Sequence, residues 1–429
     1  MLINKNKLKT SKSTGSLYAL VDIVESRMNI VNKKSLLVLL LIVSMLIPDP
    51  VVANNLQNQG VNYRNKYQPM LDNLVSKHIP GAVLLLESKR DRFIGSAGFK
   101  DLEKKQPMTS DIVMPNGSAG KKLTALLIAL LAEDGIVDLD APINKYLDKE
   151  LLRQIQHSNK MTLRHLLNHT SGIFEYNDAG EYAFFKAQYA QRNKVTTDMF
   201  PLRFALNQPA DFEPGKGYSY SNTGYALAGV ILERILKEHP SKAIRSRILE
   251  PLEMTSSYSK GVEKHQPELA SGFFINDEDP SFPTPLNVWV DTKNIIGSTA
   301  TSDAPLASNV NDMAKLLRAI VRKNNMVSED VRTQMIGEEH LVESRGPRFY
   351  RASDFYYGLG IWVEEINGRK FYHHGGTEFG YFTQNIYIPE GDISITAFAN
   401  CGVNDQCEEA FQNFTFEVLD SFLNVSPGI

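Results

Sequence analysis

Ser118-Ala-Gly-Lys-Lys-Leu-Thr-Ala-Leu-Leu-Ile-Ala-Leu-Leu-Ala-Glu133 is the segment from which the fold is best inferred. From Lys121 onward it is rich in leucine and alanine and apolar on nearly every side, which is typical of a buried helix. Gly135 follows, and glycine readily ends a helix. The sequence therefore predicts a buried helix over 121–133, with Ser118 and Lys121 at its amino-terminal end.

The spacing of Ser118 and Lys121 suggests chemistry. Residues three apart lie one turn apart on the same face of a helix. A serine hydroxyl is a weak nucleophile until a base takes its proton, and lysine can help when desolvation or nearby charge favours its neutral form. A helix amino terminus adds free N–H groups for a developing oxyanion. Alone the spacing is weak, because a serine N-cap before a solvated lysine looks the same.

A second candidate group is Tyr220-Ser-Asn222. A tyrosine can relay protons if nearby cations, here Lys121, lower its pKa. An asparagine can donate a hydrogen bond to a substrate carbonyl. The competing interpretation is a polar turn before a helix, with Asn222 as the N-cap.

The third candidate group, His374-Gly-Gly-Thr377, lies at the end of a predicted strand. Gly375 and Gly376 let a ligand approach the strand backbone closely. His374 supplies a hydrogen-bond donor or a positive charge beside the site. A glycine-rich turn with an exposed histidine is the alternative for this group alone, but the joint occurrence of all three groups favours a shared site.

The remaining pattern predicts a sheet built from both ends of the chain. Residues 82–87 form an apolar run after a Pro-Gly turn and predict a buried strand, with 92–99 as its hairpin partner. Four strands separated by short turns are expected over 358–399, and helices over 63–77, 161–167, 225–236, 311–322 and 408–423. We therefore expect an α+β fold, an antiparallel sheet flanked by helices with a mainly helical lobe inserted. The sheet lobe covers about 63–117 and 290–429, and the helical lobe about 118–289.

Together the three groups resemble the S-x-x-K, Y-x-N and H-x-G motifs of the serine β-lactamase-like hydrolases. These include class C β-lactamases, DD-carboxypeptidases, D-aminopeptidases and related esterases. The resemblance runs from about Ile79 to the final helix, and is supported by the stretches at 135–143, 163–172, 218–229 and 311–317. It implies a single catalytic domain over 54–429 with the β-lactamase/transpeptidase-like fold. In class A enzymes S-x-x-K is joined by S-D-N and K-T-G, so Tyr220-Ser-Asn222 points to the class C-like branch.

The resemblance also implies a role for each residue. Ser118 would be the acylated nucleophile, and Lys121 and Tyr220 would serve as base and then acid, in an order left open. Asn222 would hold the acyl carbonyl. The remaining substrate-binding residues would be His374, Gly376 and Thr377, and the N–H groups of Ser118 and Thr377 would form the oxyanion hole.

His374-Gly-Gly replaces the Lys-Thr-Gly of class C β-lactamases, which removes a fixed cation and a hydroxyl, although Thr377 could still bind a carboxylate. We therefore expect an acyl-enzyme hydrolase of amides or esters, such as cell-wall D-alanyl peptides, D-amino acid amides or short esters. A β-lactamase is the alternative, and a non-catalytic peptidoglycan-binding protein a further one. No cofactor is expected, the partner is a small-molecule or peptide substrate, and the oligomeric state is left open.

Three other classes fit the sequence less well. An α/β-hydrolase needs G-x-S-x-G. In Asn116-Gly-Ser-Ala-Gly120, an asparagine stands in place of the first glycine of that motif. A zinc site of the H-E-x-x-H type fails because Leu166 follows His165. His165 and His169 are therefore interpreted as structural, and no metal site is predicted. Net charge is −3, with acidic and basic residues interspersed, which excludes a nucleic-acid partner.

The amino-terminal region has the pattern of a secretory signal peptide. Lys33 and Lys34 precede an apolar run at 36–47, which small residues follow up to Ala53. The run is shorter than the ~20 residues that a spanning helix needs. We expect a signal peptide over 1–53 with Met28 as the true start, and a periplasmic or secreted protein without a stable membrane span. An uncleaved anchor is the alternative.

Cys401 and Cys407 are the only cysteines of the chain. Export would allow them to form a disulfide across a small loop. Two free thiols are the equally simple interpretation, and the sequence leaves both open.

Overall fold

The structure, a computed structural model, describes residues 50–425 apart from 77–78, 181, 265, 278, 325, 345–353 and 367, and for 50–62, 354, 424 and 425 it describes the backbone only. The chain divides into two compact units, Met1–Gln59 and Gly60–Ile429. Of the first unit, the described part is the backbone of the helix that begins at Pro50. The predicted start at Met28 and the apolar run at 36–47 lie outside the described residues, and cleavage after Ala53 stays a prediction. Within the described residues, no helix is both long and apolar enough to cross a membrane.

The elements are numbered in chain order. The strands are β1 (Gly81–Glu87), β2 (Arg92–Asp101), β3 (Gln106–Pro107), β4 (Met114–Pro115), β5 (Thr196–Thr197), β6 (Tyr258–Ser259), β7 (Phe273–Ile275), β8 (Trp289–Asp291), β9 (Thr299–Ala300), β10 (Leu306–Ser308), β11 (Val342–Glu343), β12 (Asp354–Tyr357), β13 (Trp362–Ile366), β14 (Arg369–His373), β15 (Gly376–Glu378), β16 (Tyr381–Ile388) and β17 (Ile393–Ala399). The helices are α1 (Pro50–Val75), α2 (Lys121–Glu133), α3 (Lys149–Arg153), α4 (Leu163–Leu167), α5 (Ala183–Ala190), α6 (Met199–Leu202), α7 (Asn222–Leu236), α8 (Ser241–Ile244), α9 (Lys293–Gly297), α10 (Val310–Val321), α11 (Glu329–Ile336) and α12 (Asp405–Val425).

One ten-stranded sheet organises the second unit. Its order is β11-β12-β13-β14-β16-β17-β1-β2-β3, and β15 pairs with β16 beside this path. The pairings are antiparallel, and β17 lies next to β1 with Ala399 opposite Ala82. The chain therefore starts the sheet, leaves it for the helices and returns to complete it, which confirms the predicted α+β class.

Burial on both faces explains why β1 is an unbroken apolar run. Successive side chains of a strand point to opposite faces. Leu84 and Leu86 pack in the cluster that contains apolar residues of α1 and α12, whereas Val83 and Leu85 pack in the cluster that contains those of α2, α7 and α10. Each fully buried leucine contributes about 1.5–3 kcal/mol, so both helical layers hold the sheet.

Helix α2 has the predicted bounds. Its residues from Lys121 to Leu131 are buried, as an all-round apolar helix should be. It ends before Gly135, whose φ of +71° is a left-handed conformation that glycine adopts without steric cost. Helix α2 therefore runs through the interior of the helical layer.

The start of helix α7 differs from the prediction, and the pairing of the two cysteines, which the sequence left open, is decided by the structure. Helix α7 begins at Asn222 rather than Tyr225, because the N-cap is Ser221, whose hydroxyl accepts a hydrogen bond from Gly224 N at 3.2 Å. The prediction of Asn222 as a possible N-cap is therefore wrong. Cys401 and Cys407 form a disulfide beside α12 with a Cα–Cα distance of 6.4 Å, which decides between the two alternatives.

Candidate active site

Ser118 lies in a 3₁₀ turn, Gly117–Gly120, that joins β4 to α2. The turn begins at Gly117, whose φ of +52° favours glycine. Ser118 is half-buried and borders the main cleft, whereas Lys121 is completely buried behind it. The turn thus presents the hydroxyl to the cleft and keeps the amine away from water.

The amine of Lys121 contacts three oxygen atoms. Its Nζ lies 2.9 Å from Ser118 Oγ, 2.6 Å from Asn222 Oδ1 and 3.0 Å from Asp303 O. Burial lowers the pKa of Lys121 to about 8, although nearby carboxylates, Asp303 first, oppose that shift. At pH 7 about a tenth of the amine is then neutral, far more than for an ordinary lysine. Lys121 is therefore placed and tuned to exchange a proton with Ser118.

Tyr220 lies on the other side of the same hydroxyl. Its phenol lies close enough to the Ser118 side chain for Ser118 to influence the pKa of Tyr220. Its ring centroid lies 5.2 Å from Lys121 Nζ and 4.1 Å from the centroid of the His169 ring. Burial raises the pKa of Tyr220 above its usual value, so the lowered pKa that the sequence offered as a condition for proton relay is not found. Tyr220 is a neutral phenol in the resting site.

His169 supports Tyr220 by packing. It is completely buried, and its Nδ1 accepts a hydrogen bond from Ser221 N at 3.1 Å. Burial lowers the pKa of His169 well below its usual value, so the ring is neutral. This arrangement agrees with the structural role predicted for this histidine.

The amide of Asn222 bridges Lys121 to a carboxylate that the sequence analysis missed. Its Oδ1 accepts from Lys121, and its Nδ2 donates to Glu175 Oε1 at 3.0 Å. The amide nitrogen carries a second hydrogen, so binding of a substrate carbonyl by Asn222 stays a prediction. The contacts observed make Asn222 a residue that positions Lys121.

Glu175 also holds the start of α7. Its Oε2 accepts from the N–H groups of Asn222 at 2.6 Å and Thr223 at 3.2 Å, and an anion is favourable at a helix amino terminus. Burial raises the pKa of Glu175, and its hydrogen bonds with Asn222 and Thr223 oppose the shift. Glu175 follows the sequence stretch 163–172 by three residues, but no spacing rule singles it out.

Gly376 of the third group allows two segments of the protein's own backbone to pack closely. A Cβ added to Gly376 would stand 2.1 Å from Asn116 O and 2.7 Å from Ser118 N, and a Cβ on Gly117 would stand 3.0 Å from Thr377 N. Strand β15 therefore lies directly against the Ser118 turn, and the close approach predicted for a ligand is made by that turn. This contact brings Ser118 and Thr377 together, as an oxyanion hole requires.

His374 does not supply a positive charge. Its Nδ1 lies 2.6 Å from Gly375 O, which can only accept, and its Nε2 lies 3.0 Å from the hydroxyl of Tyr357. Nδ1 therefore carries the hydrogen and Nε2 accepts from Tyr357. Burial, with help from Lys122 and Lys121, lowers the pKa of His374 well below its usual value. Of the two alternatives left by the sequence, a hydrogen-bond donor or a positive charge, the charge is disfavoured because desolvation of the ring favours its neutral form.

A buried ion pair is hydrogen-bonded to the first residue of the Ser118 turn. Lys260 is completely buried and pairs with Glu378 Oε1, while Glu378 Oε2 accepts from Gly117 N at 3.0 Å. Burial raises the pKa of Glu378, and Lys260 opposes the shift. Glu378 follows Thr377 directly and could have been noticed from that position. Lys260 has no signal in the sequence.

Two compartments of the cleft meet at Ser118 and Thr377. The first, called the aromatic cavity, has a volume of about 180 Å³, and the second, called the groove, about 460 Å³. The aromatic cavity is bordered by Tyr176, Phe184, Phe185, Phe200, Phe379, Asn222, Asp303 and Glu378, among others. The groove is bordered by Tyr220, Trp362, His374, Gln412 and Phe416, among others. Of the described residues that line either compartment, none is a lysine or an arginine.

The described residues do not form a metal site of the usual kind. They contain no group of three or more histidine, cysteine, aspartate or glutamate side chains placed to hold a metal ion.

Known proteins resemble this chain over most of its length. A family model described as Beta-lactamase matches residues 61–413. Penicillin-binding protein 4* of Bacillus subtilis (strain 168) is 30% identical over 362 residues, which is 83% of this chain and 76% of that protein.

Two solved structures have a similar fold. D-amino acid amidase from Ochrobactrum anthropi SV3 aligns with a TM-score of 0.69 and 23% identity over 84% of this chain and 99% of that chain. D-stereospecific amidohydrolase from Streptomyces sp. aligns with a TM-score of 0.65 and 25% identity over 80% of this chain and 96% of that chain. The family model covers most of the chain, and the Bacillus relative matches more than two thirds of both sequences. The chain therefore belongs to the Beta-lactamase family of serine hydrolases and has the β-lactamase/transpeptidase-like fold.

Proposed function

We propose that this protein hydrolyses amides or esters through an acyl-enzyme on Ser118, with Lys121 as the base. The observation that carries the proposal is the 2.9 Å distance between Lys121 Nζ and Ser118 Oγ, at an amine whose pKa is lowered to about 8 by burial. In its neutral form Nζ accepts the hydroxyl proton while Oγ attacks the carbonyl carbon. The sequence left the choice of base open. The raised pKa of Tyr220 favours Lys121, because a neutral phenol has no phenolate oxygen to accept the proton.

Tyr220 is suited to the next proton transfer. When the tetrahedral intermediate collapses, the bond from the carbonyl carbon to the leaving group breaks, and the leaving nitrogen or oxygen takes a proton. Tyr220 lies beside Ser118 and Lys121, so it can donate its own proton to the leaving group and recover one from Lys121. Deacylation reverses these transfers, with water as the nucleophile and Ser118 as the leaving group.

The oxyanion would be held by the backbone N–H groups of Ser118 and Thr377. Each such donor contributes about 3 kcal/mol to transition-state stabilisation in comparable enzymes. The contact of Gly376 with the Ser118 turn and the bond from Gly117 N to Glu378 support this role, because both hold the two donors' backbones in place.

The two compartments suggest how a substrate lies across Ser118. Tyr220 borders the groove, so the leaving group that it protonates would occupy the groove. The acyl group would then occupy the aromatic cavity on the side of Asn222. D-amino acid amides, D-alanyl peptides and short esters fit this division. The name of the Streptomyces relative, D-stereospecific amidohydrolase, supports the amide members of this set.

A β-lactamase activity is less well supported. β-Lactam antibiotics carry a carboxylate, and the described lining of both compartments contains no lysine or arginine to bind it. His374, which replaces a lysine in the motif, is neutral because burial lowers its pKa. A non-catalytic peptidoglycan-binding protein is disfavoured by the intact contacts of Ser118 with Lys121 and Tyr220.

The predicted signal peptide and the Cys401–Cys407 disulfide support action outside the cytoplasm, because disulfides persist in oxidising compartments. An exported enzyme would meet substrates derived from the cell wall.

The nucleophile is tested by covalent labelling. The purified protein is treated with a fluorophosphonate, and its intact mass is measured before and after. We expect one adduct in the wild type, none in Ser118→Ala, and an unchanged adduct in Ser246→Ala, which removes an exposed serine of the same chain. No adduct in the wild type, or the same adduct in Ser118→Ala, would sink the proposal.

The substrate class is tested with a panel of D-amino acid amides, a D-Ala-D-Ala peptide, short p-nitrophenyl esters and nitrocefin. We expect turnover of at least one of the first three to exceed that of nitrocefin. Nitrocefin as the best substrate would support the β-lactamase alternative instead.

A further inference from the structure

We propose that the aromatic cavity binds the free ammonium group of an aminoacyl substrate, and that Asp303 with Glu378 forms the cation subsite. This inference rests on the proposed function and narrows it. The acyl group would carry an unblocked amine, rather than an N-acylated amine or a carboxylate.

Asp303 is the residue that points to a missing cation. Its side chain lies in the wall of the aromatic cavity, and the residue is 5% exposed. Oδ2 accepts a hydrogen bond from the hydroxyl of Tyr176 at 2.7 Å, but no described group donates to the buried Oδ1. A buried carboxylate oxygen without a donor is costly. An ammonium group in the cavity would supply a compensating charge, and a small shift of the Asp303 side chain would let it donate to Oδ1.

The position of Asp303 is fixed and close to the reacting groups. Its backbone carbonyl accepts from Lys121 Nζ at 3.0 Å, so this residue adjoins the predicted base directly. The preceding residue, Ser302, is held by buried Asp198 through its N–H at 2.7 Å and its hydroxyl at 2.8 Å. A ligand group near Asp303 would therefore be held at a fixed distance from the Ser118 turn, as a binding subsite needs.

The charge around the cavity favours a cation. The charged residues among its described lining are Asp303 and Glu378, both acids. Glu378 is already paired with Lys260, whereas Lys121 contacts the backbone carbonyl of Asp303 and leaves Oδ1 of its carboxylate without a donor. A carboxylate on the acyl group would lie beside these acids and be repelled. The cavity's described charges therefore select against anionic acyl groups and for amines.

The walls and size of the cavity define the rest of the acyl group. The lining rings include those of Phe184, Phe185 and Phe379, which pack against apolar groups and attract cations through their faces. A volume of about 180 Å³ lies below the ~300–1,000 Å³ of pockets for drug-sized ligands. One amino-acid side chain with its ammonium group fits this size better than an extended N-acyl peptide.

A binding experiment tests the subsite without turnover. Ser118→Ala protein is titrated calorimetrically with phenylalaninamide, in both enantiomers, and with 3-phenylpropanamide, which lacks only the amine. We expect one enantiomer of phenylalaninamide to bind at least tenfold more tightly than 3-phenylpropanamide. Adding Asp303→Asn should weaken that enantiomer about 10- to 100-fold, as expected for loss of a charged hydrogen-bond partner. It should leave 3-phenylpropanamide nearly unchanged.

The control variant adds Asp330→Asn to Ser118→Ala, which removes an exposed carboxylate at the start of α11. It should bind both ligands like the parent. Equal affinity for the two ligands, no binding of either, or an equal loss of both in Asp303→Asn would each overturn the subsite.

The fluorophosphonate test of Ser118 does not depend on the amine. A Ser118 adduct without amine preference would leave the proposed function intact and reject the subsite. A preference for the amine without a Ser118 adduct would support the subsite and reject the proposed function.

Discussion

Lys122 offers a sharp test of how burial acts in this protein. It is as completely buried as its neighbour Lys121, but its Nζ contacts Asn385 Oδ1 at 2.8 Å and Met313 Sδ at 3.5 Å. Neither partner is charged. Burial lowers the pKa of Lys122 to about 7. We predict that Lys122→Met, which keeps a long unbranched side chain and removes the amine, stabilises the protein at neutral pH.

The magnitude follows from the pKa. A lowering from 10.5 to about 7 corresponds to about 5 kcal/mol at 1.36 kcal/mol per pKa unit, and this burial cost is removed with the amine. The substitution also removes the donor to Asn385 Oδ1, which costs about 1–3 kcal/mol if the oxygen stays buried and unpaired. Asn385 keeps its bond from Nδ2 to Thr396 Oγ1 at 3.0 Å, and methionine fills irregular gaps well. The expected net gain is about 2–4 kcal/mol in the free energy of unfolding.

The gain should depend on pH with a definite sign. The unfolded lysine keeps its proton up to about pH 10.5, whereas the folded one loses it near pH 7. Between these values the unfolded state binds more protons, so the contribution of Lys122 to stability improves as pH rises. The advantage of Lys122→Met over the wild type should therefore shrink by about 2–3 kcal/mol between pH 6.5 and pH 9.

The assay is urea unfolding followed by circular dichroism at both pH values, with Lys149→Met, an exposed lysine in α3, as the matched control. Comparing each variant with the wild type cancels the titration of all other groups. A Lys122→Met variant that is less stable than the wild type at pH 6.5, or a difference that does not change with pH, would refute the reasoning. Either result would mean that water or an unrecognised partner stabilises the buried ammonium.

Three further predictions concern the site. The acylation rate with a p-nitrophenyl ester should rise with pH around a midpoint near 8, because neutral Lys121 is the base, and Lys122→Met should keep this midpoint. A midpoint near 7 that disappears in Lys122→Met would contradict the assignment. Gly376→Ala should lower the free energy of unfolding by about 1–3 kcal/mol and slow acylation, since its Cβ would stand 2.1 Å from a backbone oxygen. Gly180→Ala, which has open space around the added Cβ, should change neither stability nor acylation. Unfolding and labelling assays measure both effects. Glu175→Gln should lower the free energy of unfolding by about 1–3 kcal/mol and slow fluorophosphonate labelling, whereas Asp178→Asn, exposed on the same turn, should match the wild type.

Local patterns were sufficient to predict the framework. Helix α2 was expected over 121–133 and has those bounds, because its apolar surface and Gly135 both act within the segment. The central strands were found for the same reason: β16 and β17 are short, fully buried runs rich in aromatic and β-branched residues and bounded by turns. Helix α7 began earlier than its apolar pattern, because a single hydroxyl, that of Ser221, caps it.

The site was predictable only where residues form recognisable groups. Ser118, Lys121, Tyr220 and Asn222 are brought together as expected. Glu175, Lys260 and Asp303 were missed, because isolated charged residues in a sequence normally indicate a solvated surface. Their importance comes from partners far along the chain, such as Glu378, which is 118 residues from Lys260.

Ionisation states were the least predictable feature. The sequence left His374 as either a hydrogen-bond donor or a cation, and considered a Tyr220 whose pKa is lowered by Lys121. The structure gives a neutral His374 and a Tyr220 with a raised pKa, because desolvation is the largest influence on each group. Burial can be assessed only after the chain has folded, so the sign of these shifts was not available from spacing.

Comparison of the two adjacent buried lysines shows why burial alone does not make a base. Lys121 and Lys122 both have lowered pKa values for the same first reason. Only Lys121 reaches a hydroxyl that borders the cleft, while Lys122 faces the sheet and Asn385. Consecutive residues of a helix point in different directions, so one position places its amine at Ser118 and the next places it in the core. The proposed function makes the corresponding use of the two compartments: the leaving group would lie in the groove beside Tyr220, and the acyl group in the aromatic cavity beside Asp303.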